Sequence, residues 1–116
     1  MDVDALKALA DENRLGIVRL LADGERCVCE LASALELSDA LVSHHVKRLA
    51  DAGLVRTRRV GRWLHCTLAT DALTSLGAEL AETGSRAAEA EAARADQDPG
   101  CGACVPAVTT DRKAER

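Results

Sequence analysis

Hydrophobic positions recur at helical spacing through Ala52 and then change to alternation. Val3, Leu6 and Leu9-Ala10 form a short helical stripe. Asp11-Glu12-Asn13 opens a second helix, with acids suited to a helix N-terminus. Its apolar face is Leu15, Val18, Leu21 and Ala22, widened by Ile17 and Leu20, and Asp23-Gly24 ends it. A third helix is expected from Cys27 to Leu35, with Val28, Leu31, Ala32 and Leu35 inward. Glu36-Leu37 turns the chain, and Ser38 caps a fourth helix that runs to Ala52 and stops at Gly53. Val42, His45, Val46 and Leu49 share its buried face, which leaves Ser43, His44 and Lys47 outward.

From Leu54 the period is two. Leu54 to Arg59 and Arg62 to Leu68 read as the strands of a hairpin turning at Val60-Gly61 with a basic tip. A last, Ala-rich helix begins near Asp71, carries Leu73, Leu76 and Leu80, and runs on toward Ala95, with a weak point expected at Gly84-Ser85. Short helix, tight turn, polar-faced helix and basic hairpin is the order of a winged helix-turn-helix, a mostly α fold with a small β-hairpin. Residues 1–95 are expected to form this domain. Residues 96–116, polar and holding two prolines and Cys101-Gly102-Ala103-Cys104, are expected to be a flexible tail.

Composition supports one small domain. The chain has 116 residues, 47% of them hydrophobic but only 1% aromatic, so its core is built from Leu, Val and Ala in closely packed helices. A net charge of −4 would argue against a nucleic-acid partner if it were evenly spread. It is not: Ser38 to Arg62 holds six basic residues against Asp39 and Asp51, while Cys66 onward holds nine acids and five bases. Phosphate contacts depend on the local patch, so double-stranded DNA is the expected partner. Ser38, Ser43, His44 and Lys47 on the fourth helix are candidate contacts to base edges and phosphates, and Arg58, Arg59 and Arg62 crowd the wing tip.

Five cysteines change the picture further. Met1-Asp2-Val3-Asp4 is acidic, unlike a secretory leader, and no apolar run approaches the roughly 20 residues that span a bilayer. The expected location is the cytoplasm, with no membrane partner, where clustered thiols serve metals or redox chemistry more often than structural disulfides. As thiolates, Cys27 and Cys29 suit As(III), Sb(III), Cd(II), Pb(II), Cu(I) or Zn(II). Residues i and i+2 lie about 200° apart on a helix, so capture of one ion by both is expected to unwind the first turn of the third helix. Cys101 and Cys104 are the remaining candidate ligands: three sulfurs suit As(III) or Sb(III), four suit Cd(II) or Zn(II). Cys66 alternates with Leu64 and Leu68 and is expected in the core.

The stretch from Ala8 to Leu68 resembles the ArsR/SmtB family of metal-sensing repressors. The resemblance rests on Leu9-Ala10-Asp11-Glu12-Asn13-Arg14, Cys27-Val28-Cys29-Glu30-Leu31, Val42-Ser43-His44-His45, Ala52-Gly53-Leu54-Val55 and Gly61-Arg62-Trp63-Leu64-His65. It implies a homodimer formed through the first and last helices, an imperfect palindromic operator, and release from DNA when the inducing ion binds. Arsenic-responsive members carry a third Cys in the same helix, where this chain has Ala32, and cadmium- and lead-responsive members draw thiolates from an N-terminal extension, a contribution not expected here. The family's Asp/His/Glu site on the last helix is missing too, since all three histidines lie at or before His65. The reading is therefore a repressor induced by As(III) or Sb(III) at Cys27 and Cys29 with tail thiolates. The alternatives are a four-thiolate Cd(II), Pb(II) or Zn(II) site and a thiol-disulfide redox switch. An enzyme using Cys101 and Cys104 as a dithiol pair fits least, because such pairs work from a structured strand-to-helix junction.

Overall fold

The computed structural model describes residues 2–97, so Cys101 and Cys104 lie outside the described residues. The elements follow in the order α1 (Val3–Leu9), α2 (Glu12–Leu21), β1 (Arg26–Cys27), α3 (Val28–Leu35), α4 (Asp39–Asp51), β2 (Val55–Val60), β3 (Trp63–Leu68) and α5 (Thr70–Gln97). Helix starts are set by side chains that satisfy free backbone donors. Asp2 accepts from the N–H groups of Asp4 and Ala5, Asp11 from Asn13 and Arg14, and Ser38 from Leu41 at 3.1 Å.

The turn between α3 and α4 fixes the helix-turn-helix. Glu36 adopts the left-handed conformation, φ 59°, and its N–H donates to Ser33 O while that of Leu37 donates to Ala32 O at 3.0 Å. This closes α3 as a Schellman motif and aims the chain into α4. Beyond the end of α4, Gly53, with a φ of 81°, turns the chain into the wing. The three strands are antiparallel in the order β1-β3-β2. Val60 pairs with Trp63 across a two-residue turn in which Gly61 has positive φ and Arg62 does not, as in a type II′ hairpin.

Among the described residues, those up to Glu79 form one compact unit and those from Leu80 a second. In the first, Ile17, Leu31, Val42, Val46, Leu49, Leu54 and Cys66 are fully buried, and Leu76 from the start of α5 joins them. In the second, the helical residues 80–95 are exposed throughout. Among the described residues no helix is long and apolar enough to cross a membrane.

Four expectations need correction. The inward face of α2 is centred on Ile17, Val18 and Leu21; Leu15 is 36% exposed and Ala22 lies past the helix on the surface. α1 is anchored by Ala5 and Ala8 rather than by Val3, which is 58% exposed. α5 continues through Gly84-Ser85 without a break. Cys27 is not in α3 at all: it ends β1 and occupies the N-cap position with an extended backbone.

Candidate nucleic-acid interface and thiol site

α4 is amphipathic along its whole length. Val42, His45, Val46 and Leu49 are buried, and Ser43, His44 and Lys47 are exposed on the opposite side, the arrangement a 3.6-residue period gives. His45 is 7% exposed. Its Nδ1 lies 3.4 Å from an Arg14 terminal nitrogen, while Arg14 Nε donates to Ala8 O at 2.6 Å. Arg14 thus ties the end of α1 to the inner side of α4. Burial lowers the His45 pKa; Asp11 opposes the shift, and Arg14, His44 and Arg48 add to it.

The candidate DNA contacts are not equivalent. Ser43 and His44 present their polar groups outward from α4, and Lys47 does so while bridging to Asp51 at 3.3 Å. Ser38 Oγ is engaged in capping α4, so its first role is to start that helix. On the wing, Arg59 and Arg62 are exposed, and the Arg62 guanidinium lies 6.0 Å from the Trp63 ring centroid. Arg58 is different: its Nη2 donates to Glu25 Oε2 at 2.6 Å. The same oxygen lies 3.4 Å from His65 Nδ1.

The thiol site is built where the helical layer meets the sheet. Arg26 and Cys27 pair with Cys66 and His65 of β3, and Cys29 lies one residue into α3. Glu30 Oε1 accepts from the Cys27 N–H at 2.9 Å, which holds the start of the helix. Because Cys27 is extended and Cys29 helical, their side chains converge: the two are disulfide-bonded, with Cα atoms 5.4 Å apart. The expectation that the two sulfurs can meet only by unwinding α3 is therefore wrong. It assumed both residues to be helical.

Cys27 is buried and Cys29 half-buried. Cys29 lines a groove of about 290 Å³ with Asp39 and Ser43 of α4 and Arg59, Arg62 and Trp63 of the wing. Three candidate DNA residues and one candidate sensor residue thus share one groove. Lys47 lines a neighbouring groove of about 450 Å³, again with Ser43 and Arg59. Among the described residues no cluster of three or more Cys, His, Asp or Glu groups could hold a metal ion, so Cys27 and Cys29 have no third ligand there. Ala32, where the resemblance would put one, is buried in the core. Cys66 is fully buried, as its alternation predicts, and burial, with the Glu25 carboxylate adding, pushes its thiol pKa up to about 11. Near neutral pH the protonated thiol is the favoured form.

Glu25, Arg14 and Asp39 were not among the candidate residues. Only Asp39, beside the Ser38 cap, carried a local signal; Glu25 meets Arg58 across 33 positions of sequence.

Comparison with known proteins agrees with this architecture. Residues 11–57 match the family described as "Bacterial regulatory protein, arsR family". The arsenical resistance operon repressor of Escherichia coli (strain K12) is 45% identical over 69 residues, 59% of this chain and 59% of that protein. A cadmium resistance transcriptional regulatory protein, CadC homolog, of Staphylococcus aureus is 39% identical over 70 residues, 59% of this chain and 58% of that protein. The match thus spans about three fifths of these curated relatives. The homodimeric winged helix-turn-helix DNA-binding domain Mb0332 from Mycobacterium bovis, solved in solution, is 32% identical with a TM-score of 0.60, over 75% of this chain and 81% of that one. With this coverage, and with the helix-turn-helix and wing in the same order, the chain belongs to the ArsR family of bacterial regulatory proteins.

Proposed function

We propose that the chain is a metal(loid)-responsive transcriptional repressor that binds operator DNA as a homodimer and lets go when As(III) or Sb(III) binds Cys27 and Cys29 with thiolates of the tail. The observation that carries this reading is the shared groove, in which Cys29 faces Ser43, Arg59 and Arg62. An ion there sits beside the groups proposed to meet DNA, and so does any segment that completes its coordination. Because Cys27 is extended and Cys29 helical, the two thiolates of the reduced pair would hold one ion together without requiring α3 to unwind. Release then comes from competition for the groove.

Residues 1–95 carry DNA binding and dimerisation, and 96–116 supply Cys101 and Cys104. The dimer draws support from the homodimeric Mycobacterium bovis neighbour and from Val3 on α1 and Leu80 on α5, apolar side chains left exposed in one chain. The names of the relatives, arsenical and cadmium resistance regulators, support a thiophilic inducer. Three sulfurs correspond to As(III) or Sb(III) and four to Cd(II), Pb(II) or Zn(II). A DNA-bound repressor of this kind works in the cytoplasm and catalyses no reaction.

The test is a titration of As(III), Sb(III), Cd(II), Pb(II) and Zn(II) into the protein–operator complex under excess reductant. Cys27→Ser and Cys29→Ser keep operator affinity and lose the response; normal induction of both variants sinks the sensor assignment. X-ray absorption at the bound element counts the sulfurs. A second reading, a thiol-disulfide switch, draws on the bonded state of Cys27 and Cys29. Release by peroxide without metal favours it, and release by arsenite in excess reductant counts against it.

A further inference from the structure

Glu25 stands two residues before Cys27, at the entry to β1. Its carboxylate takes the guanidinium of Arg58 on β2 at 2.6 Å and lies 3.4 Å from His65 Nδ1 on β3. The sheet register explains how three distant residues meet. Cys27 pairs with His65 and His65 with Arg58, so the three form one row across the strands and Glu25 closes over its end. The Arg58 and Glu25 side chains are 64% and 36% exposed.

We infer that Glu25 is an internal acid clamp on the wing, which withholds the charge of Arg58 from DNA phosphate. The inference rests on the proposed DNA-binding function. A guanidinium bound to a carboxylate offers phosphate a neutral pair, and the carboxylate itself repels the backbone. An exposed pair of this kind adds little to stability. Its effect is on the number of cations available to displace counterions, and that number sets the salt dependence of binding. The wing thus has two available arginines at its tip, Arg59 and Arg62, and one held in reserve.

The test uses the full chain and a 30-base-pair duplex of arbitrary sequence, titrated with salt from about 50 to about 200 mM. Glu25→Gln binds about two- to fivefold tighter at the low-salt end. It also steepens the slope of log K against log salt by about 0.9, the value of one added phosphate contact. Arg58→Gln alone leaves the slope unchanged, and in the Arg58→Gln background the Glu25→Gln gain disappears. Circular dichroism melts verify that each variant is folded, with Glu25→Ala as a second removal of the carboxylate.

Unchanged or weaker binding by the folded Glu25 variants overturns the clamp. So does a slope about 0.9 shallower for Arg58→Gln alone, since Arg58 would then already be on phosphate. A gain that persists in the Arg58→Gln background also overturns it, because the acid would then act by general repulsion. Salt-independent or absent binding by the unmodified chain removes the DNA-binding reading, and the clamp with it.

Discussion

Helix α4 and the wing present the two basic parts of the proposed DNA surface, and they are held in different ways. α4 is keyed into the core along its length by Val42, His45, Val46 and Leu49. The wing is buried at its base, by Leu54, Val55 and Cys66, and residues 56–63 are exposed. The position of α4 is therefore set by close packing, which resists small displacements. That of the wing is set by strand pairing to β1 and by the contacts of Glu25. A sensor that acts with a modest coupling free energy, typically about 1–3 kcal/mol, has more leverage on the second kind of element than on the first.

The largest effect that would break this contrast is in the core. Leu49→Ala should cost about 2–5 kcal/mol in denaturant melts, whereas Val60→Ala at the wing tip should stay within about 0.5 kcal/mol. Similar costs at the two positions would mean that the wing is packed as firmly as the helix. Next comes binding itself. Replacing Arg59 and Arg62 with Ala should weaken duplex binding for every sequence and flatten the salt slope by about 0.9 per lost phosphate contact. Ser43→Ala and His44→Ala should instead change which duplexes are selected from a random pool and leave the slope alone. A flattened slope from the α4 variants would reverse the division of labour.

The smallest effect concerns the anchoring of α4. His45 has its pKa lowered from 6.5, by burial first, with Arg14, His44 and Arg48 adding and Asp11 opposing. Below that ordinary value the unfolded chain binds a proton that the folded chain refuses. Stability should therefore fall as pH drops from about 6.5 through the lowered folded value, and His45→Asn should flatten the dependence. Equal pH dependence of the two proteins in thermal melts would remove His45 as the cause.

The same contrast explains what could be read from the chain. α4 was legible residue by residue, from the Ser38 cap through its four buried positions, because a long amphipathic helix writes its period into the sequence. The two wing strands were legible, but the expected turn at Val60-Gly61 is one residue early: Val60 pairs with Trp63 and Gly61-Arg62 make the turn. β1 was not legible, since two residues show no period and their partners, Cys66 and His65, lie about forty positions away. The start of α3 is hidden in the sequence for a related reason. Cys27 takes the position where Ser or Thr would announce an N-cap, and only Glu30, three residues on, hinted at a capping box. That one-residue error carried a false consequence, the unwinding of α3. The Glu25–Arg58 pair left no trace in sequence, and Arg58 was grouped with two tip arginines whose surroundings differ from its own.

A strand of two residues also leaves no slack. Successive residues of a strand point to opposite faces, so one residue inserted or deleted between Gly24 and Cys27 exchanges the faces of Arg26 and Cys27. The cation that now reaches Leu20 O would turn toward the thiol's place, and the sulfur would turn away from Cys29. Loops of this length are usually where families tolerate insertions. Here the pairing of Arg26 and Cys27 with β3 constrains the length, and a screen of insertions along the chain should find an intolerant stretch just ahead of Cys27 rather than at the wing turn.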